Sequence, residues 1–290
     1  MLGEKIKGLR KEAGMSQEQM AERMGVSRQA VTRWETGLGT PDLDNLVAVA
    51  DLFGVTVDAL LREGEEAPEP AEQEADRFSS LTQCDVFSPH DFDIDFGNAH
   101  AVELVGTSSS KVSVVLSSDE IEGIEEAFKV RLDPDGRNFD IDVVSCDVAT
   151  VAQARQALDV RIQVPAGWEN HIELTGNADE IRTTRLAAEQ LEIGGKFARL
   201  EVADVIGHVE VDTNQDLFIS CATMPARLDI NQLSAASELR VPQGTPVALR
   251  KRGFGNHFVL DGVGETEGAE CLVELNGMKS ELTVRLADEA

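Results

Sequence analysis

A three-residue unit, apolar at both ends and mostly polar in the middle, recurs through the second half of this chain. It reads Ile172-Glu173-Leu174, Leu191-Glu192-Ile193, Leu200-Glu201-Val202, Val209-Glu210-Val211, Leu217-Phe218-Ile219, Leu228-Asp229-Ile230, Leu239-Arg240-Val241 and Val247-Ala248-Leu249. From Leu191 the starts lie 9, 9, 8, 11, 11 and 8 residues apart, and Gly, Asn and Asp cluster in several of the gaps. Alternation is the period of a strand, not of a helix. A strand this short cannot bury a core alone. Each copy must stack on others, with inward side chains piling up rung upon rung, as in a β-solenoid or β-roll. A β-sandwich also uses many strands, but longer ones, and is the alternative.

The stretch before these copies is also strand-like. Phe92, Ile94 and Phe96 alternate with Asp91, Asp93 and Asp95. Strands are expected at 101–105 and 111–116, and a hairpin joins 128–132 to 139–144 around Asp133-Pro134-Asp135-Gly136, a strong turn sequence. Residues 118–128 are ambiguous, with a short helix as one reading. Residues 151–158 suit one or two helical turns, 161–165 a strand, and 257–260, 271–275 and 282–286 three closing strands. Residues 78–290 are therefore expected to form one all-β repetitive domain.

Residues 1–62 have a different period. Leu2, Ile6 and Leu9 share one helix face. Ser16 is a good N-cap, with Gln19 three residues on as in a capping box, and Met20, Ala21 and Met24 follow at helical spacing. Gly25 suits a helix C-terminus. Ser27 then caps a helix whose Ala30, Val31 and Trp34 face inward, leaving Arg28, Gln29, Thr32 and Arg33 facing out. Two short helices around a tight glycine turn make a helix-turn-helix, whose second helix enters the major groove of DNA. Asp42 caps a fourth helix carrying Leu43, Leu46, Val47 and Ala50, and residues 57–61 make a fifth, giving a small five-helix bundle. Residues 63–77 hold Glu63, Glu65, Glu66, Glu69, Glu72, Glu74, Asp76, Pro68 and Pro70 without apolar periodicity, and read as an acidic flexible linker.

Charge divides the chain in the same place. Of 26 basic and 53 acidic residues, residues 1–62 hold eight and nine, so the excess acid lies in the remainder. A near-neutral head is joined to a body that DNA repels. No apolar run approaches the roughly 18 residues that read as a membrane span, and no secretory leader is expected. Cys84, Cys146, Cys221 and Cys271 are widely spaced without a metal-binding pattern, and read as small buried hydrophobes in a reducing cytoplasm.

The stretch SQEQMAERMGVSRQAVTRWETG at 16–37 resembles the Xre/Cro/C1-type helix-turn-helix of transcriptional regulators, and the likeness runs from Leu2 to about Leu61, including Pro41, Leu43, Leu46 and Val49. That resemblance implies that Arg28, Gln29, Thr32 and Arg33 contact bases, and that Gln17, Ser27, Thr40, Asn45 and Arg10 contact the phosphate backbone. Arginine can bond guanine in bidentate fashion and glutamine adenine. Trp34, on the apolar stripe, reads as core. Residues 78–286 resemble the DUF4097-like adhesin-type β domains of bacteria, through the run of short strands from Leu186 to Ile230. That likeness implies a repetitive all-β fold with no catalytic residues to carry over.

Other chemistry is sparse. Asp91, Asp93 and Asp95, and Asp133, Asp135, Asp140 and Asp142, lack a calcium-loop pattern and read as solvated faces, with His90 structural. No hydrolase elbow, phosphate-binding glycine loop or metalloprotease helix is present. No metal, cofactor or enzymatic activity is expected. The expected function is a cytoplasmic sequence-specific DNA-binding regulator, a repressor that reads an inverted repeat as a homodimer, its β domain serving oligomerisation or an effector. The alternative is a scaffold whose β domain does the work while the helical domain contacts protein.

Overall fold

The computed structural model describes residues 2–12, 15–24, 26–35, 39–41, 45, 46, 49, 78–146, 148–167, 169–266 and 268–287. The chain divides into two compact units, Met1–Glu74 and Ala75–Ala290.

The first unit contains α1 (Leu2–Glu12), α2 (Gln17–Met24) and α3 (Arg28–Glu35). The capping box at α2 is formed: Gln19 N donates to Ser16 Oγ at 3.2 Å and Ser16 N to Gln19 Oε1 at 2.8 Å. Ser27 Oγ accepts from Ala30 N at 3.2 Å at the start of α3. These bonds satisfy amides that a helix start leaves without partners. Ile6, Met20, Ala21, Val31, Trp34 and Val49 form the core, with Leu2, Met24, Val26 and Ala30 packed on it. Asn45, Leu46 and Val49 are helical, so three helices and part of the expected fourth are described. The expected fifth helix at 57–61, the glycine turn at Gly25 and the linker at 63–77 lie outside the described residues.

The second unit is all-β with two short helices. Its elements in order are β1 (Phe78–Asp85), β2 (His90–Asn98), β3 (Ala101–Thr107), β4 (Lys111–Ser118), α4 (Ile124–Ala127), β5 (Phe128–Asp135), β6 (Asn138–Ser145), α5 (Val151–Ala157), β7 (Asp159–Pro165) and β8 (Glu169–Asn177). Then come β9 (Glu180–Leu186), β10 (Gln190–Lys196), β11 (Arg199–Val205), β12 (His208–Asp212), β13 (Phe218–Cys221), β14 (Arg227–Leu233), β15 (Ala236–Val241), β16 (Val247–Lys251), β17 (His257–Asp261), β18 (Cys271–Met278) and β19 (Glu281–Leu286).

The strands form two sheets. Sheet one runs β1-β4-β7-β3-β9-β11-β13-β15-β19-β17 and sheet two β16-β18-β14-β12-β10-β8-β2-β6-β5. From β8 to β15 successive strands alternate between the sheets, and each from β8 to β13 pairs in parallel with the strand two places on. The spacing of 8 to 11 residues is thus half of the structural repeat: Leu191 lies beside Val209, not beside Leu200. The apolar ends of the triplets point inward, and Leu191, Ile193, Leu200, Val209, Val211, Ile219, Leu228, Ile230 and Leu239 are fully buried. Two features interrupt the simple order. Strands β18 and β19 insert inside β16 and β17, and β2 and β3 lie between the later β6–β7 and β8–β9 pairs. At the other end of the stack, β5 pairs antiparallel with β6, and β1 with β4.

The stacking requires glycine where neighbouring backbones approach most closely, as at Gly195. Gly176 and Gly195 are register partners on β8 and β10. A Cβ on Gly195 would stand 1.8 Å from the Gly176 carbonyl oxygen, and the Gly195 φ of 131° is itself a glycine conformation. His90 packs edge-on to Phe139 at 5.7 Å between ring centroids, and its Nδ1 lies 2.6 Å from the Ser88 carbonyl. Among the described residues, no helix is long and apolar enough to cross a membrane.

Candidate nucleic-acid interface

Helix α3 separates its faces sharply. Val31, Trp34 and Glu35 are buried, while Arg28, Gln29, Thr32 and Arg33 are exposed. An α-helix with its side chains is about 10–12 Å across, which fits the roughly 12 Å width of the major groove. The four expected base-reading residues therefore share one exposed surface. Ser27 and Thr40 are exposed, and Asn45 is half-buried. Gly39 lies against Arg33: a Cβ there would meet the Arg33 side chain at 3.6 Å.

A buried carboxylate holds the face in place. Glu35, at the C-terminal end of α3, is 4% exposed. Its Oε1 accepts from Arg10 Nε at 2.5 Å and its Oε2 from Arg10 Nη2 at 3.0 Å and Gln17 Nε2 at 2.7 Å. Arg10 Nη1 also donates to the Met15 carbonyl at 2.7 Å, and Thr32 Oγ1 donates to Gln17 Oε1 at 3.1 Å. One carboxylate thus ties α1, α2 and α3 together. Burial pushes the Glu35 pKa up, but the bonds from Arg10 and Gln17 outweigh it and hold the group below its ordinary value. The Arg10 pKa is raised in turn, chiefly by its bond to Glu35.

This network places two expected phosphate contacts differently from the rest. The Arg10 guanidinium turns inward onto Glu35, and the side chain is only 11% exposed. Gln17 is half-buried and spends its amide nitrogen on Glu35, while its oxygen receives Thr32. Sequence reasoning did not single out Glu35. The signal available was a carboxylate one residue after a core tryptophan, where a charge must find a cation if it is buried.

The capping box that opens α2, the Ser27 cap of α3 and the exposed face of α3 are those of an N-terminal helix-turn-helix domain, and the comparisons give its type as Xre. Residues 6–60 match the Helix-turn-helix (HTH_3) family model. The chain is similar to the HTH-type transcriptional activator BcrR of Enterococcus faecalis, 44% identical over 71 residues, 24% of this chain and 34% of the relative. It is also similar to the prophage-derived HTH-type transcriptional regulator YonR of Bacillus subtilis, 39% identical over 62 residues, 21% of this chain and 57% of the relative. A third relative is the CTXphi transcriptional repressor RstR of Vibrio cholerae, 35% identical over 57 residues, 20% of this chain and 51% of the relative. The chain thus spans between a third and somewhat over half of the length of these relatives. Among solved structures, the chain is similar to a candidate cell-adhesion protein of Clostridium sporogenes, with 7% identity, a TM-score of 0.37, and coverage of 73% of this chain and 100% of that one. A candidate adhesin of Bacteroides fragilis matches at 11% identity and TM-score 0.37, covering 72% and 97%.

Proposed function

We propose that this chain is a sequence-specific DNA-binding transcription regulator whose α3 reads bases in the major groove. The observation that carries the reading is the outward face of α3, where Arg28, Gln29, Thr32 and Arg33 stand exposed over a buried Val31 and Trp34. Arg28 and Arg33 offer planar donor forks suited to guanine, Gln29 suits adenine, and Thr32 suits a thymine methyl. Ser27, Thr40 and Asn45 serve the phosphates. Arg10 and Gln17 act through Glu35, orienting α3 rather than gripping the backbone. The proposed division is a head at 1–62, a linker at 63–77 and a β domain at 78–290.

One such head reads only a few base pairs, so the active form is a homodimer on an inverted repeat with half-sites about one helical turn apart. The relatives include an activator and a repressor by name. Repression needs only that the dimer occlude a promoter, and is the simpler assignment. Such a protein works in the cytoplasm.

The β domain is read as a two-sheet parallel solenoid, on the strength of the strict alternation and in-register pairing from β8 to β15. Its role is oligomerisation or effector sensing. A groove of about 780 Å³, lined by polar side chains that include Asp212, Thr213, Asn214, Asn231 and Asn276, offers a place for a small polar effector.

The test is selection of bound duplexes from a random DNA pool by the full chain at moderate salt. Enrichment of an inverted repeat, lost in the Arg28→Ala, Gln29→Ala double variant, is the expected result. No enriched sequence, or enrichment indifferent to that double substitution, sinks the reading and leaves the scaffold alternative.

A further inference from the structure

The middle residues of the triplets on sheet two fall into register as Asp140, Asp93, Glu173, Glu192, Glu210, Asp229 and Glu274, with Arg250 at the end. Adjacent strands are about 4.8 Å apart, so this is a close column of like charge. Sheet one has no such column: there Arg161, Glu103, Arg182 and Glu201 alternate in sign.

Toward β18 the protein supplies its own counter-charge. Arg227 donates to both oxygens of Asp229 at 2.8 and 2.7 Å, and Arg250 and Arg252 approach Glu274 at 3.4 and 3.0 Å. At Glu173 and Glu192 this supply stops: among the described residues no arginine or lysine pairs with either. The adjoining outward positions hold His171 and Gln190 instead. Gln190 Nε2 donates to Glu192 Oε1 at 2.8 Å, and His171 Nε2 lies 3.8 Å from that same oxygen.

One nitrogen of His171 and one oxygen each of Glu173 and Glu192 lie within 4.8 Å of one another. The same triad recurs 37 residues on as His208, Glu210 and Asp229. The copies differ in one decisive respect. In the second, Arg227 occupies both Asp229 oxygens, Asn231 donates to Glu210 at 2.7 Å, and the buried Nε2 of His208 has no hydrogen-bond partner among the described residues although it lies 3.0 Å from Asp229 Oδ2. A guanidinium there does the neutralising. In the first copy the imidazole and carboxylates face one another with no cation from the protein.

We infer that His171, Glu173 and Glu192 hold a divalent transition-metal cation, which supplies the positive charge that Arg227 brings to the second copy; the position equivalent to Arg227 is held here by the neutral Gln190. One imidazole nitrogen with two carboxylate oxygens is a ligand set for zinc and its neighbours rather than for calcium or magnesium, which prefer oxygen alone. Bonds of about 2.0–2.2 Å in a tetrahedral shell put ligand atoms roughly 3.3–3.6 Å apart, so the three side chains close by no more than about 1.5 Å on the ion, with water completing the shell. The half-exposed His171 and Glu192, at 37% and 35% side-chain exposure, have room for that rotation. The site is independent of the DNA reading.

The probe is Zn²⁺ alone, titrated into the chelator-treated, fully reduced full-length protein by equilibrium dialysis, with the melting temperature of the β domain followed in parallel. The expected result is one saturable equivalent in the micromolar range with a rise in melting temperature of several degrees. His171→Ala and Glu192→Gln should each weaken binding by about tenfold or more, whereas His208→Ala should leave it in place. The inference is overturned if no saturable binding occurs below about 1 mM, which corresponds to only weak association. It is equally overturned if binding survives His171→Ala and Glu192→Gln, or if it disappears in His208→Ala or in a Cys84→Ser, Cys146→Ser variant instead.

Discussion

Replacing Glu35 by alanine should unfold the helical head without touching its exposed face. The carboxylate is 4% exposed and receives three hydrogen bonds, two from Arg10 and one from Gln17. Removing it strands the Arg10 guanidinium at 11% exposure, with the Met15 carbonyl as its remaining described acceptor. Breaking a buried ion pair from one side costs about 3–5 kcal/mol, because the abandoned charge stays desolvated. A helical unit of this size has roughly 3–10 kcal/mol of total stability. The loss is therefore comparable to the whole. The assay is urea denaturation of the full chain followed by tryptophan emission in a Trp168→Phe background, leaving the buried Trp34 as the reporter. With a slope near 1 kcal/mol per molar urea, the midpoint should fall by about 3 M or vanish altogether. The double variant Arg10→Met, Glu35→Leu should recover most of the loss, since an apolar pair of similar volume removes the stranded charge. A drop below about 1 kcal/mol in Glu35→Ala would mean that the pair behaves as a surface bridge, and would refute the reasoning. The sign with pH follows from the lowered pKa of Glu35. The unfolded carboxylate binds its proton first, so the contribution is complete above the ordinary glutamate range and is lost as pH falls through the lower folded value.

Three further outcomes follow from the β domain. Leu200→Ala should cost about 2–5 kcal/mol at a fully buried position, while its neighbour Glu201→Ala, which breaks a half-exposed pair with Arg182, should cost less than about 1; paired denaturation curves distinguish them. Gly195→Ala should lower the melting temperature severely or prevent folding, because its Cβ meets the Gly176 carbonyl, whereas Gly136→Ala, with open space around it, should cost only about 1–2 kcal/mol from its φ of 63°; equal melting curves would contradict the stacking. Burial pushes the Cys221 thiol up to about 12 and the Cys271 thiol up to about 11, so a thiol reagent near neutral pH should label the half-exposed Cys84 and Cys146 first and the other pair only on unfolding; mass spectrometry of the labelled peptides reports the order.

Much of the local structure was legible. The capping box at Ser16 and Gln19, the cap at Ser27, and the inward Val31 and Trp34 each depend on residues within four positions, and each is present. The hairpin around residues 133–136 formed as β5 and β6, and residues 124–127 resolved as a helix. Arg10 and Gln17 are the instructive departures. Both are polar residues on the helical head, and nothing local reveals that Glu35, 25 and 18 positions away, draws them inward.

The sequence by itself determined that the triplets are strands with inward apolar ends, and which face of α3 is left to solvent. These are properties of period and of short-range hydrogen bonding. Only the tertiary structure decided which strands are neighbours. Leu191 pairs with Val209 rather than with Leu200, and Leu228 pairs with Val273 across an intervening excursion through β16 and β17. Every triplet has the same alternation, so any could pair with any other; closing the turns and packing the inner faces selects one order. That order, absent from any local window, aligns seven carboxylates on sheet two and brings His171 to Glu192.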